Sequence, residues 1–344
     1  MRCRALDPAG PSGRVLPMAQ AKLTSTLDSL RDAVDRYQQQ HSWAGLPFAV
    51  VKKYGDDEGG RHAALMTYYG FLSIFPVLLL IVATVSRVLA DNVALRDQWV
   101  NAIVPEEFRA TVNAALAALP TSGVALVIGL VALVLSSLGI VQTAHDTLNH
   151  VAGIPHRLRL SGIGRWIRVV IMLAVLLVGV AAIGAVTILT GAISDTANLQ
   201  RAAEFFGILA LAFLLMWAGV SLLLPRRPPF QGLWPAALLG SIAIALVLTL
   251  GSKLLATMIS RQGPVYGSFA TITGLFAFIA LVSQALVWAA ELAAVRRYRL
   301  WPRAVDANKP TEADKRAHAI LTAEQERIPT QRNLAEFAPG EVAD

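Results

Sequence analysis

The sequence has few charged residues, one cysteine and no nucleotide-binding motif. Only 15% of its 344 residues are charged, whereas about 25% is usual for a soluble domain. The single cysteine, Cys3, excludes an intrachain disulfide framework and a thiolate metal site. No glycine-rich phosphate loop occurs, so we expect no ATP-driven step. The first sixty residues also lack the apolar segment and cleavage site of a removable signal peptide.

Hydrophobic residues, by contrast, make up 55% of the chain, and its mean hydropathy is +0.54. Six apolar runs are long enough to span a bilayer, because about 20 helical residues cross a hydrocarbon core of about 30 Å. These runs cover about residues 63–87, 124–143, 168–190, 206–224, 233–256 and 269–295. We therefore predict an all-α, polytopic membrane protein whose six transmembrane helices form one domain over residues 61–298.

Lys and Arg residues are concentrated in alternate loops, which predicts the orientation of the spans. One set of loops holds Lys52, Lys53, Arg61, Arg157, Arg159, Arg165, Arg168, Arg226, Arg227, Arg296, Arg297, Arg299 and Arg303. The other set holds Arg96, Arg109, Arg201 and Arg261. Since cationic loops are retained in the cytoplasm, both termini are predicted to be cytoplasmic. The same bias accounts for the net charge of +7 without a nucleic-acid partner.

Four segments lie outside the predicted spans. Residues 1–19 are expected to form a disordered leader. Residues 20–60 are expected to form amphipathic and juxtamembrane cytoplasmic helices, and we favour their attachment to the membrane surface over packing under the bundle. The loop between spans one and two repeats apolar residues at helical spacing, which predicts a helical extracytoplasmic loop. Residues 299–344 are expected to be a flexible cytoplasmic tail, with room for a short helix around 311–327.

Span one carries polar and helix-bending residues along one side. The stripe consists of His62, Tyr69, Ser73, Pro76 and Arg87, with Tyr68 beside it. Spacings of three and four residues place the stripe on one helical face, which we expect to point away from lipid. Pro76 also removes a backbone hydrogen bond in mid-membrane. The alternative is that the two tyrosines are interfacial residues and that Pro76 only bends the helix for packing.

Span six carries a second set of polar residues, of which Gln284 and Glu291 are the most unusual. An ionisable residue inside a span is costly and is by default a candidate functional residue. Glu291 has two interpretations: it takes part in proton or substrate movement, or it forms an ion pair at the cytoplasmic rim. The cationic candidates for that pair are Arg61, His62, Arg165 and Arg168.

His145, Asp146 and Asn149 share a helical face at the end of span two, which invites comparison with a metal site. No third ligand stands at a telling spacing, and no serine lies in a nucleophile-elbow motif. We therefore expect no metal, no cofactor and no enzymatic activity.

Three stretches together resemble the YihY/BrkB family of bacterial inner-membrane proteins. They are AALMTYYGFLSIFPVLLLIVA in span one, the polar end of span two, and VYGSFATITGLFAFIALVSQALVWAAELAA leading into span six. The resemblance covers roughly residues 45–298. It assigns family positions to Tyr68, Tyr69, Ser73, Phe75, Pro76, Asn149, Tyr266, Gly267 and Glu291. The chain departs from the family at Thr143-Ala144-His145, where an Ala-Ser-Arg-like sequence is usual.

The resemblance implies a bacterial inner-membrane protein that supports envelope integrity, and it implies binding or translocation of a lipid or other amphiphile. The partner would then be a membrane lipid or amphiphilic envelope component, and a homo-oligomer stays open. The alternative is a membrane scaffold that recruits partners through its cytoplasmic termini. A membrane-associated nuclease, the family's former label, is a remote third hypothesis, because the carboxylate cluster that a nuclease needs is missing from the sequence outside the spans.

Overall fold

A computed structural model describes residues 40–88, 92–103, 123–160, 162–193, 197–224, 237–247, 267–306 and 309–336, together with 29, 33–38, 109 and 234. All regular structure in these residues is helical, and no strand occurs among them. This confirms the predicted all-α class. The expected leader over residues 1–19 lies outside the described residues.

The described helices follow the predicted spans closely. In chain order they are α1 (Ser42–Asp56), α2 (Gly59–Val88), α3 (Val93–Ile103), α4 (Gly123–Val151), α5 (Gly162–Ile193), α6 (Ala197–Leu223), α7 (Ala237–Val247), α8 (Gly267–Tyr298) and α9 (Glu312–Glu324). A short 3-10 turn, His156–Leu158, lies between α4 and α5. The helix predicted in the loop after span one is confirmed by α3.

Three segments in the described part of the chain are long and apolar enough to cross a membrane. They are Gly162–Thr190, Ala202–Leu223 and Ile272–Tyr298, which coincide with predicted spans three, four and six. Helices α2 and α4, with 30 and 29 residues, contain the first two predicted spans. The full set of six spans and the cytoplasmic position of both termini stay predictions.

Helix packing builds one bundle, in which α2 contacts α4 and α8 while α5 contacts α6. A buried core joins α4, α5 and α6 through Leu138, Val141, Val169, Met172, Leu173 and Leu223. The Leu215 side chain of α6 packs directly against Gly179 of α5, where a Cβ would lie 2.6 Å from Leu215 Cδ2. Small residues at helix contacts permit this kind of approach in membranes, where lipid tails remove the hydrophobic drive for association.

From the sequence we expected α1 to attach to the membrane surface apart from the bundle. The structure shows a different arrangement. Ala49 and Val50 are buried in a cluster with Val295 of α8, Leu300 and Ala317 of α9. Helix α1 therefore packs against the end of the bundle. Only part of its surface, such as Val51 with 57% exposure, stays open.

The C-terminal segment also differs from the flexible tail that the sequence predicted. Helix α9 lies within the range suggested for a short helix, and Thr311 caps it by accepting a hydrogen bond from the Asp314 backbone N–H, which completes a capping box with the Asp314 side chain. Ala317 and Glu324 of this helix are buried. The low hydrophobicity that predicted flexibility is offset by charged contacts to the bundle, which a count of apolar residues does not register.

Candidate functional site

Glu291 of α8 is completely buried and forms an ion pair with Lys53 of α1. Lys53 Nζ donates to Glu291 Oε2 at 3.0 Å, to the Val151 carbonyl at 3.1 Å and to the Asp57 carboxylate. Lys53 itself is only 4% exposed. The pairing differs from our expectation, because the predicted partners of Glu291 were Arg61, His62, Arg165 and Arg168.

Lys53 keeps its charge although it is buried. Burial alone would lower the pKa of the Lys53 ammonium, but the nearby charges of Glu291 and Asp57 outweigh that effect and leave the pKa raised. Burial also raises the pKa of Asp57, against the attraction of Lys53. A single ammonium group therefore serves two buried carboxyl groups. Removing that cation would be far more costly than removing either partner.

His150, at the end of α4 and beyond the predicted span, bridges this site to α9. Its Nδ1 lies 2.7 Å from Glu324 Oε1, and its Nε2 lies 3.1 Å from the Asp57 backbone carbonyl. Arg159 donates to the same Glu324 oxygen, so that oxygen is an acceptor. Because both ring nitrogens face acceptors, this arrangement favours the imidazolium form of His150, in which both nitrogens carry hydrogen.

A second ion cluster ties the start of α9 to α1. Arg303, with a fully buried side chain, donates to Asp314 at 2.6 Å and to Asp56 at 2.8 Å. Lys52 donates to Asp314 at 3.0 Å. Burial would raise the pKa of Asp314, but hydrogen bonds from the Ala304 backbone, Arg303 and Lys52 hold it far below its usual range. The adjacent residues Lys52 and Lys53 thus reach different helices.

The polar residues predicted in spans two and six join helices to one another. Asn149 is fully buried, and its side chain donates to the His145 carbonyl at 2.7 Å and to the Leu223 carbonyl at 3.4 Å. Gln284 donates to the Tyr54 hydroxyl at 2.6 Å. The Tyr54 ring stacks on Trp288 with 4.2 Å between ring centroids.

The stripe of span one is divided between the bundle and its surface. Ser73 is 2% exposed, whereas Tyr69 is 39% and Tyr68 is 53% exposed. Pro76 lies inside α2, and the helix continues past this proline to Val88. The hydroxyl of Thr147 lies 3.3 Å from His62 Nδ1, so the start of the stripe contacts α4.

Three predicted site residues lie at the limits of the described structure. Tyr266 lies outside the described residues, Gly267 is the first residue of α8, and Arg87 lies within α2 but its side chain is not described. Lys53, His150, Arg159 and Glu324 were not among the site residues predicted from the sequence. The signal that could have found Lys53 is its position next to the predicted membrane rim, where a cation can turn inward to an intramembrane carboxylate.

An apolar cavity of about 360 Å³ lies in the bundle beside these ion pairs. Helices α2, α4, α5, α6, α7 and α8 all contribute lining side chains, among them Met66, Ala144, Met172, Ala212, Ala237 and Val287. Thr147 and Ser283 add hydroxyl groups to an otherwise mostly hydrocarbon wall. Because Thr147 also contacts His62, the cavity and the ion network share one end of the bundle.

Comparison with known proteins gives one match. The family model described as "Virulence factor BrkB" matches residues 50–314. The matched range includes Lys53, Glu291, Arg303 and Asp314 and ends before Glu324. No curated protein and no solved structure matches the chain. Since the match extends over well more than half of the sequence, the chain belongs to the BrkB virulence-factor family, also known as YihY/BrkB.

Proposed function

We propose that this protein supports the cell envelope by holding a hydrocarbon chain of a membrane lipid or similar amphiphile in its intramembrane cavity. The proposal places it in the bacterial inner membrane with six spans and both termini in the cytoplasm, and it assigns no enzymatic chemistry. The observation that carries it is the cavity of about 360 Å³ with its mostly apolar wall.

The size of the cavity favours a single chain. If each methylene-sized unit occupies roughly 30 Å³, as a water molecule does in the liquid, the cavity holds about 12 such units. Apolar wall atoms without neighbours forfeit dispersion contacts, so an unfilled cavity is unfavourable. Filling it with hydrocarbon from the surrounding bilayer restores those contacts.

The wall alone gives little selectivity, because a lipid chain leaves one hydrocarbon environment for another. Discrimination among amphiphiles must therefore come from polar contacts near the end of the cavity. Thr147 and Ser283 line it, and the buried ion network lies beyond Thr147. This arrangement supports a ligand whose chain lies in the cavity and whose polar group faces that end.

The proposal is tested by filling the cavity. Ala212 of α6 is 7% exposed and lines the cavity, whereas Ala210 of the same helix is exposed. We expect Ala212→Phe to reduce crosslinking by a phospholipid with a photoreactive acyl chain at least several-fold, because the ring occupies the space of the chain. Ala210→Phe, which adds the same ring in a separate, open apolar groove on the outer face of α6, is the matched control for crosslinking at the cavity residues.

Both variants are purified in nanodiscs and are also introduced into a deletion strain to measure envelope integrity. Equal crosslinking of Ala212→Phe and wild-type protein at the cavity residues would refute chain binding there. Loss of crosslinking with full restoration of envelope integrity would separate binding from the envelope role and would favour the scaffold hypothesis.

A further inference from the structure

The buried contact between His150 and Glu324 joins the membrane-domain helix α4 to the C-terminal helix α9. Both ring nitrogens of His150 face acceptors, so the contact favours the protonated ring. Deprotonation would leave one ring nitrogen with a lone pair directed at an oxygen. We propose that this contact is a pH-sensitive lock, which holds the C-terminal end of α9 against the bundle and releases it when His150 loses its proton.

The surroundings of His150 make its charge necessary. The groups that face it from the packed elements are Lys53, Asp57, His62, Arg159, Glu291 and Glu324. Two further carboxylates lie nearby with cations of their own: Asp56 pairs with Arg303, and Asp146, one turn earlier on α4, pairs with Arg165. Within the first set the cations Lys53, Arg159 and His150 balance the carboxyl groups Asp57, Glu291 and Glu324. Loss of the His150 proton leaves two cations for three buried carboxyl groups, which destabilises the docked position of Glu324.

The pH at which the lock opens follows from linkage. Burial alone would lower the pKa of His150, but its hydrogen bond to Glu324 and the charges of Glu324 and Asp57 leave it raised. A raised pKa in the docked state stabilises docking fully below about pH 6.5, the usual His value, and this stabilisation is lost as the pH rises through the raised value. Between these two values each pH unit lowers the ratio of docked to released α9 by up to tenfold.

The acid limit is set by Glu324. Burial would raise its pKa, but the hydrogen bond from His150 and the charges of His150 and Arg159 lower it. Glu324 therefore keeps its charge until the pH falls below the usual carboxyl range. The lock is closed from the usual carboxyl range up to the usual His value, and it opens as the pH rises through the raised pKa of His150.

The opening is confined to one end of α9. Asp314 at the start of the helix pairs with Arg303 at 2.6 Å and with Lys52 at 3.0 Å, and these contacts do not pass through His150. Ala317 is also packed in the apolar cluster with Ala49 and Val295. The start of α9 thus acts as the fixed end. At the other end Arg159 still pairs with Glu324, and Arg157 pairs with Glu326 at 2.7 Å, so loss of the His150 proton loosens this end and the residues beyond Glu324 move over a short range.

The lock is physically connected to the cavity. The His150 ring stacks on His62 with 4.6 Å between centroids, and His62 contacts Thr147, which lines the cavity. Release of Glu324 removes one of the two hydrogen-bond partners that, together with the stacked His62 ring, orient the His150 ring. The lock therefore controls the rigidity of the end of the cavity where a polar group would lie.

The test is a distance measurement between spin labels in nanodiscs, with the single native cysteine removed. One label replaces the exposed Ala64 of α2, and the other replaces Ile328, which follows Glu324 and is 58% exposed. We expect one distance at pH 6.5 and a growing population of longer distances up to pH 9. The control pair carries the second label at the exposed Lys315, near the fixed end, and its distance should not change.

Variants identify the titrating group. His150→Gln should abolish the pH dependence between pH 6.5 and 9, whereas His318→Gln, at an exposed histidine of α9, should keep it. Glu324→Gln should shift the midpoint toward the usual His pKa and serves if His150→Gln fails to fold. An unchanged wild-type distance over this pH range, or a transition that persists in His150→Gln, would overturn the lock.

Discussion

Replacement of Lys53 by Met should destabilise the protein much more than the same replacement at the neighbouring Lys52. Lys53 is 4% exposed and is the cation that donates to both Glu291 and Asp57. The Lys52 side chain is 27% exposed, and its partner Asp314 keeps the buried Arg303 when Lys52 is lost. The two lysines thus differ in what their removal leaves behind, although they are adjacent and share helix α1.

The expected magnitudes follow from that difference. Lys53→Met leaves two buried carboxyl groups without their cation, and breaking a buried pair in this way costs about 3–5 kcal/mol. Lys52→Met leaves Asp314 paired, so its cost should stay within about 1 kcal/mol, the usual range for partly exposed ion pairs. Glu291→Gln removes one of two carboxylates and leaves Lys53 paired with Asp57, so it should cost less than Lys53→Met.

The measurement is equilibrium unfolding in mixed micelles, in which the fraction of denaturing detergent is raised and the change in tryptophan fluorescence is followed. The free energies of unfolding of the wild-type protein and the three variants are compared at one pH. Equal destabilisation by Lys53→Met and Lys52→Met would refute the assignment of Lys53 as the shared cation. A larger effect of Glu291→Gln than of Lys53→Met would also contradict it, because the carboxylate would then depend on some other partner.

Two further predictions use the same kind of matched pair. Gly153→Ala should weaken the packing of α9, because the φ of Gly153 is +58° and the new Cβ would lie 2.2 Å from Ile320 Cγ2. The measurement is faster hydrogen exchange of the α9 amides. Gly162→Ala is the control: Gly162 has a similar φ of +63° but no atom within 4 Å of the new Cβ, so this variant should cost only the backbone strain, about 1 kcal/mol. Exchange of α9 unchanged by Gly153→Ala would contradict the docked position of that helix. The predicted orientation is tested in protein without the native Cys3, with a membrane-impermeant maleimide on intact spheroplasts. The reagent should label a cysteine at the exposed Asn101 and should label one at the exposed Ala319 only after permeabilisation. The reverse pattern would invert the topology.

Much of the helical architecture follows from the sequence, because long uncharged apolar runs have few other structures available in a bilayer. Predicted spans three, four and six coincide with helices long enough to cross it, and α3 lies where the helical loop was predicted. The ends were less accurate: α4 continues to Val151, well past the predicted limit at residue 143. Its last two turns are polar, and apolar length alone gives no reason to extend a span through them.

The candidate site was predictable only in part. Glu291 stood out because a carboxylate within a span is expensive to bury. The predicted partners of Glu291 were wrong, because Lys53 was placed with the cationic residues of the loops. Whether such a lysine turns outward to lipid or inward to Glu291 depends on how α1 packs, which hydropathy does not encode. Glu324 was missed for a related reason, since its burial depends on contacts with His150 and Arg159 far away in the sequence.

The ion network is difficult to explain by stability alone. Buried ion pairs often contribute no more than well-packed apolar residues of similar volume, because desolvation offsets the attraction between the charges. Apolar residues would therefore suffice to attach α9 permanently, and the cluster around Ala317 and Val295 already does so at one end. At the other end Arg157 pairs with Glu326 and Arg159 pairs with Glu324, and a further contact passes through His150, whose charge is lost as the pH rises through its raised pKa. A contact of this kind adds reversibility that apolar packing cannot supply, and its position beside Thr147 directs that reversibility to the end of the cavity. If His150→Gln kept the same pH dependence of envelope integrity as the wild-type protein, the network would have to be understood as a structural joint only.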